Sequence, residues 1–183
     1  MRKAEAAWER NKRSETMTLT QRFDYFGLLS AQIPVATLRV VYAKAGSLPA
    51  ACVLRGGNFL VENLLYWAAV PAEAEASYLS AILNSETARS RIEGMQSRGQ
   101  FGARHFDKVM FNLPIPRFNT GNRLHLALAE AGAEAERLAA AVQLPEGVKF
   151  QRARGFIRSA LAEAGVSRQI DELVEKLIDG EPP

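Results

Sequence analysis

TLRVVYAKAGSLPAACVLRGGNFLVENLLYWAAV, residues 37–70, decides the fold class. Thr37–Ala43 is β-branched and aromatic, and Gly46-Ser47-Leu48-Pro49 punctuates it. Ala51–Arg55 is a second apolar run, Asn58–Val61 a short third and Leu64–Val70 a fourth. Gly56-Gly57 tolerates positive φ at both positions, which is what a two-residue hairpin turn requires. The stretch therefore predicts a small, mostly antiparallel sheet.

Helical periodicity lies on both sides of it. Upstream, Lys3–Arg13 reads as a charged helix. Thr18 and Gln21 have the spacing of a capping box, starting a helix that carries Phe23, Phe26, Leu28 and Leu29 toward a core. Pro34 disfavours helix at Ile33 and ends it. Downstream, Ala72–Leu83 places Ala76, Leu79, Ile82 and Leu83 on one face. Asn84-Ser85 breaks the pattern and Glu86–Met95 resumes it. Leu124, Leu128, Ala131, Ala135, Leu138 and Val142 recur at alternating spacings of four and three, a heptad seam with small residues in its middle. Phe150–Ala164 follows, and Ser167 caps a last helix with an apolar face of Ile170, Leu173, Val174, Leu177 and Ile178, closed by Gly180. The expected class is α+β: a small sheet framed by helices, then a long helix and a C-terminal helical pair. Two regions are expected, residues 1–118 and a helical arm with its C-terminal helices over 119–183.

Composition narrows the function. The 183 residues carry 23 Lys and Arg against 20 Asp and Glu, a net charge of +3. Cys52 is the single cysteine, and His105 and His125 are the only histidines, so neither an internal disulfide nor a Cys/His zinc set is available. A reducing cytoplasm fits, and no apolar run approaches the ~20 residues of a membrane span. A P-loop, a glycine-rich cofactor loop and an Asn-Pro-Pro-aromatic tetrapeptide are all missing, and no clustered carboxylates suit a metal nuclease. The expectation is a chain with no catalytic centre and no cofactor of its own.

Charge is uneven. Arg89, Arg91, Arg98, Arg104, Lys108, Arg117 and Arg123 face only Glu93 and Asp107 between them, a local excess larger than that of the whole chain. Within it, QSRGQFGARHFDK (96–108) sets Arg98, Gln100, Arg104, His105 and Lys108 beside Phe101 and Phe106, on glycines that allow close backbone approach. Arginine donates two bonds to guanine, glutamine pairs with adenine, and lysine suits phosphate. The same residues also fit a solvated basic loop anchored by its two phenylalanines. Lys149, Arg152, Arg154 and Arg158 form a second basic group that either touches a DNA backbone or solvates a helix.

YLSAILNS (Tyr78–Ser85) followed by RGQFGARHFDKVMFNLPIPRFN (Arg98–Asn119) resembles the target-recognition region of large adenine-specific DNA methyltransferases of restriction–modification systems. The order is also similar to that of the recognition domains of type I specificity subunits. TLTQRFDYFGLLSAQIP (18–34) and LRVVYAKAG (38–46) look like the lead-in, and Asn119–Glu136 like the exit helix. The catalytic half of that family has no counterpart here. The resemblance implies double-stranded DNA as the partner, read through Arg98, Gln100, Arg104, His105, Lys108 and Lys44. Methylation would fall to a catalytic domain in the same longer chain or in a separate subunit. The alternative is a protein-docking module that binds a methyltransferase or regulatory subunit through the C-terminal helices.

Overall fold

The computed structural model describes residues 2–13, 16–44, 49–95, 98–99, 102–103 and 107–180. The architecture is α+β, a three-stranded antiparallel sheet with helices around it. Helices α1 (Arg2–Asn11) and α2 (Leu19–Phe23) lead into strands β1 (Leu38–Ala43), β2 (Ala51–Arg55) and β3 (Leu65–Ala69). Helices α3 (Glu73–Asn84) and α4 (Glu86–Glu93) follow, then a two-residue ladder of β4 (Arg98–Gly99) with β5 (Gly102–Ala103) and a 3-10 turn, Asp107–Asn112. The long helix α5 (Arg123–Ala141) and the pair α6 (Phe150–Glu163) and α7 (Val166–Asp179) complete the chain.

Strand order is β2-β1-β3, so the most apolar strand lies in the middle. Val40, Val41 and Tyr42 of β1 are all buried, as a strand covered on both sides requires. Both neighbours run antiparallel to it, with Val41 opposite Cys52 on one side and Trp67 on the other. This corrects the expectation for Gly56-Gly57. Gly56 has φ +98 and donates its N–H to Thr37 O at 2.7 Å, which closes the β1–β2 ladder. The chain then crosses over to the far side of β1, and residues 58–61 form no strand.

The capping box forms: Thr18 Oγ1 accepts from Gln21 N, and Gln21 Oε1 accepts from Thr18 N. The helix it starts stops at Phe23, short of the expected length. Phe26 sits at φ 56, and Phe23 and Phe26 are 67% and 84% exposed instead of joining a core. Asp24 ends the helix locally, since its carboxylate accepts from Leu29 N and Ser30 N and bends the chain into a turn. The start of α7 also differs. Gly165, at φ 76, is its N-cap, and Ser167 lies within the first turn.

Helix α3 covers one sheet face, where Val40, Val70 and Ala76 form a small cluster. Its other side enters the main core. Tyr78, Ala81 and Ile82 meet Leu128 and Ala131 of α5, Ile92 of α4, Met110 and Leu113, and Ile170, Val174 and Leu177 of α7. The heptad seam of α5 is thus spent inside the molecule. Thr87 donates from its N–H to the Asp171 carboxylate at 3.0 Å and from its hydroxyl to Asp171 O at 3.2 Å, which ties α4 to α7.

Candidate nucleic-acid interface

The sequence between α4 and α5 is held at both ends. Ser85 makes the first joint: its hydroxyl donates to Ile82 O at 2.8 Å, ending α3, and accepts from Ala88 N at 3.0 Å, starting α4. Helix α4 then anchors through Ile92, which has no exposed surface. On the return side Met110 and Leu113 enter the same core. Pro114 and Pro116 forbid helix and central strand beyond them. The chain runs extended to Phe118, whose ring centroid lies 5.4 Å from that of Tyr78.

Tyr78 is the clamp between the two limbs. Its side chain is fully buried, and its hydroxyl donates to Pro116 O at 3.0 Å. Burial pushes its phenol up to about 12, so it stays a donor at any ordinary pH. His125 packs beside both rings, 5.0 Å from Tyr78 and 6.3 Å from Phe118. Its Nδ1 accepts from Asn119 N at 3.0 Å, and burial holds the imidazole below its usual pKa, in the neutral form that this bond needs. Asn122 caps α5 by accepting from Leu124 N at 2.8 Å and His125 N at 3.3 Å. Between these ends, Arg98–Gly99 pairs antiparallel with Gly102–Ala103, so the described residues of the expected glycine loop form a short ladder.

Among the candidate contact residues, Arg98 is in β4 and Lys108 is in the 3-10 turn. Gln100, Arg104 and His105, with Phe101 and Phe106, lie outside the described residues. Lys44 directly follows β1. Its ammonium donates to Asn63 O at 2.5 Å and stands 4.3 Å over the Tyr66 ring, so it is held at the β1–β3 end.

Ion pairs reduce the cationic set. Arg89 pairs with Glu86, and its guanidinium holds that carboxyl below the usual range. Arg91 reaches Asp179 at 2.6 Å. Arg117 and Arg123 make no ion pair among the described residues. In the second basic group, Arg154 stands over Phe150 and donates to Pro49 O, while Arg158 lies 3.7 Å from Glu86.

Four buried polar side chains escaped the sequence reading. Arg39 has no exposed surface. It donates to Phe59 O at 2.9 Å with its guanidinium 5.2 Å from the Phe59 ring, while Nε and Nη1 have no hydrogen-bond partner among the described residues. Gln32 bridges to Val61, donating to its carbonyl and accepting from its N–H. His125 and Ser77 complete the set. An arginine inside a β-branched run is the one signal that pointed to Arg39. Among the described residues no group of three metal-ligating side chains comes together, and no helix is long and apolar enough to cross a membrane. No protein-family model, curated protein or solved structure matches the chain.

Proposed function

We propose that this chain reads double-stranded DNA sequence for a restriction–modification adenine-specific methyltransferase and leaves bond-making to a separate catalytic domain. The observation that carries the reading is the Tyr78–Pro116 clamp. It joins the two segments on which the family resemblance rests, Tyr78–Ser85 and Arg98–Asn119. The glycine-bearing ladder of Arg98–Gly99 with Gly102–Ala103 lies in sequence between Ile92 and Met110, which are both buried in one core. Recognition elements need such rigid mounting, because bidentate base contacts tolerate little positional error. Arg117 and Arg123 add positive charge close in sequence to the return limb.

Fluorescence anisotropy of the chain with duplex DNA at low and moderate salt tests this. Binding should weaken steeply with salt, with a slope set by the phosphates neutralised. Arg98→Ala and Gln100→Ala should change sequence preference, by ~1–3 kcal/mol per base contact, while Lys108→Ala weakens all sequences alike. Salt-insensitive binding, or none at low salt, overturns the reading.

Docking through the C-terminal helices is the second reading, and α6 is the observation that favours it. The helix buries no residue, and Phe150 and Phe156 stay 72% and 38% exposed. The α5 seam is unavailable, since Leu128 is fully buried. Phe150→Asp is therefore the informative variant. Loss of co-elution with a methyltransferase catalytic domain, with DNA affinity intact, would support docking.

A further inference from the structure

The two edges of the sheet are treated differently. Lys44 N donates to Leu64 O and Val70 N donates to Leu38 O, so even-numbered residues of β3 direct their main-chain groups to β1. Odd-numbered residues direct theirs outward. Leu65 N–H turns back to Glu62 O at 3.1 Å, whereas the main-chain groups of Trp67 and Ala69 have no hydrogen-bond partner among the described residues. On the opposite edge, the outward groups of Ala51 are both taken by one side chain. Asn84 Oδ1 accepts from Ala51 N at 2.9 Å, and Asn84 Nδ2 donates to Ala51 O at 3.0 Å. Its amide stands where a fourth strand would run. Arg55, at the end of that edge, is fixed between Glu73 and Glu136.

Edges left open in natural sheets usually carry lysine, proline or a bulge that discourages pairing. The β3 sequence LYWAA has none of these, and Leu64, Leu65 and Trp67 are 72%, 36% and 38% exposed around it.

We propose that the β3 edge is a self-association surface on which a second copy of this chain adds its own β3, antiparallel, about a two-fold axis at Trp67. In that register each Trp67 exchanges both main-chain bonds with its counterpart. Each Ala69 N–H reaches the other copy's Leu65 carbonyl, which its own bond to Glu62 leaves open. The segment 65–69 carries no charge, so the copies meet without like-charge contact. The two three-stranded sheets become one continuous sheet. The two-fold contact is isologous and closes on itself at the dimer, while on the far edge Asn84 already occupies the outward groups of Ala51. The proposal does not depend on the DNA-reading role. A five-residue edge covers well under the ~800 Å² per partner of a tight interface, so the dimer is expected to dissociate at roughly 10–100 µM.

Sedimentation equilibrium on the full chain across that range, with wild type, Ala69→Pro and Trp67→Lys, tests it. Proline at 69 removes an outward N–H and leaves the β1 ladder intact. Trp67→Lys sets two charges against each other at the axis. Each variant should raise the dissociation constant at least tenfold with an unchanged circular dichroism spectrum. Should one variant misfold, the other still decides. A monomer at every concentration, growth beyond the dimer, or a dimer that neither substitution weakens overturns the proposal.

Discussion

Gly132 of α5 lies against Ser77 of α3 so closely that a Cβ at Gly132 would stand 2.3 Å from the Ser77 carbonyl oxygen and 3.1 Å from Ala81 Cβ. Both neighbours belong to a helix fixed in the core, and the closest atom is backbone, so a methyl group has nowhere to go. Gly132→Ala improves helix propensity by ~1 kcal/mol, but it forces α3 and α5 apart along their whole contact. Overpacking of this kind costs ~1–3 kcal/mol, and here the loosening reaches Tyr78, Ile82 and Leu128 together. The expected net loss is about 1–2 kcal/mol, measured as a lower urea midpoint with an unchanged slope.

What could be read in advance follows how local each signal is. The capping box at Thr18 and Gln21, the TLRVVYA strand and the Ser85 break depend on neighbours a few residues away, and each forms as expected. Strand order does not have that property. Gly56-Gly57 permits a hairpin and a crossover equally, and the choice is made by β1 offering a second free edge to β3. Phe23 and Phe26 have the spacing of a buried face, but the Asp24 carboxylate redirects the chain after one turn. At the candidate interface, the residue types suited to DNA were legible in QSRGQFGARHFDK. The Tyr78–Pro116 clamp spans 38 positions and leaves no local trace. The same holds for the Asn84–Ala51 pair and for the burial of Arg39.

Asn84 caps the β2 edge at Ala51 with two bonds, and the same amide also donates to Ser80 O at 2.9 Å. The site is exposed, so water replaces much of what is lost. Asn84→Ala should cost about 0.5–1.5 kcal/mol. The sharper readout is hydrogen exchange, where the Ala51 amide should lose protection before its β1 neighbours do. Asn84→Asp retains the acceptor for that N–H and loses the donor to the carbonyl, so it should keep most of the protection.

Tyr78→Phe removes the hydroxyl that holds Pro116 O and leaves the ring in its packing against Phe118 and His125. Pro116 is itself exposed, so water replaces part of the lost bond and the cost is about 0.5–1.5 kcal/mol. Because the clamp joins the two limbs of the proposed interface, the same variant should weaken DNA binding several-fold in anisotropy titrations while the salt slope stays unchanged. A changed slope would mean that phosphate contacts, not mounting, had been altered.

Arg39 presents the reverse case, a buried cation whose removal should not hurt. Among the described residues Nε and Nη1 have no hydrogen-bond partner and no carboxylate pairs with the group, so its desolvation is offset there by one bond to Phe59 O and the Phe59 ring. Replacing such a charge with an apolar side chain of similar length is often neutral or stabilising. Arg39→Met should leave stability unchanged or raise it by about 1–2 kcal/mol, whereas Arg39→Ala opens a cavity and should lower it by a few. A melting temperature for Arg39→Met well below wild type would show that the guanidinium has a partner this account lacks.

His125 should make stability depend on pH. Burial depresses its folded-state pKa below the ordinary value of 6.5, so between those two values the unfolded chain binds more protons than the folded one. Stability contributed by the neutral imidazole is therefore complete above pH 6.5 and falls as pH drops through the window below it. Protonation would also turn Nδ1 into a donor facing the Asn119 N–H, breaking the 3.0 Å bond at the start of α5. Thermal melts should show a lower midpoint at pH 5.5 than at pH 7.5. His125→Asn offers an acceptor that does not titrate in this range, so that variant, although less stable overall, should have a flatter pH profile over the interval. An equal slope in both proteins would assign the effect to another group.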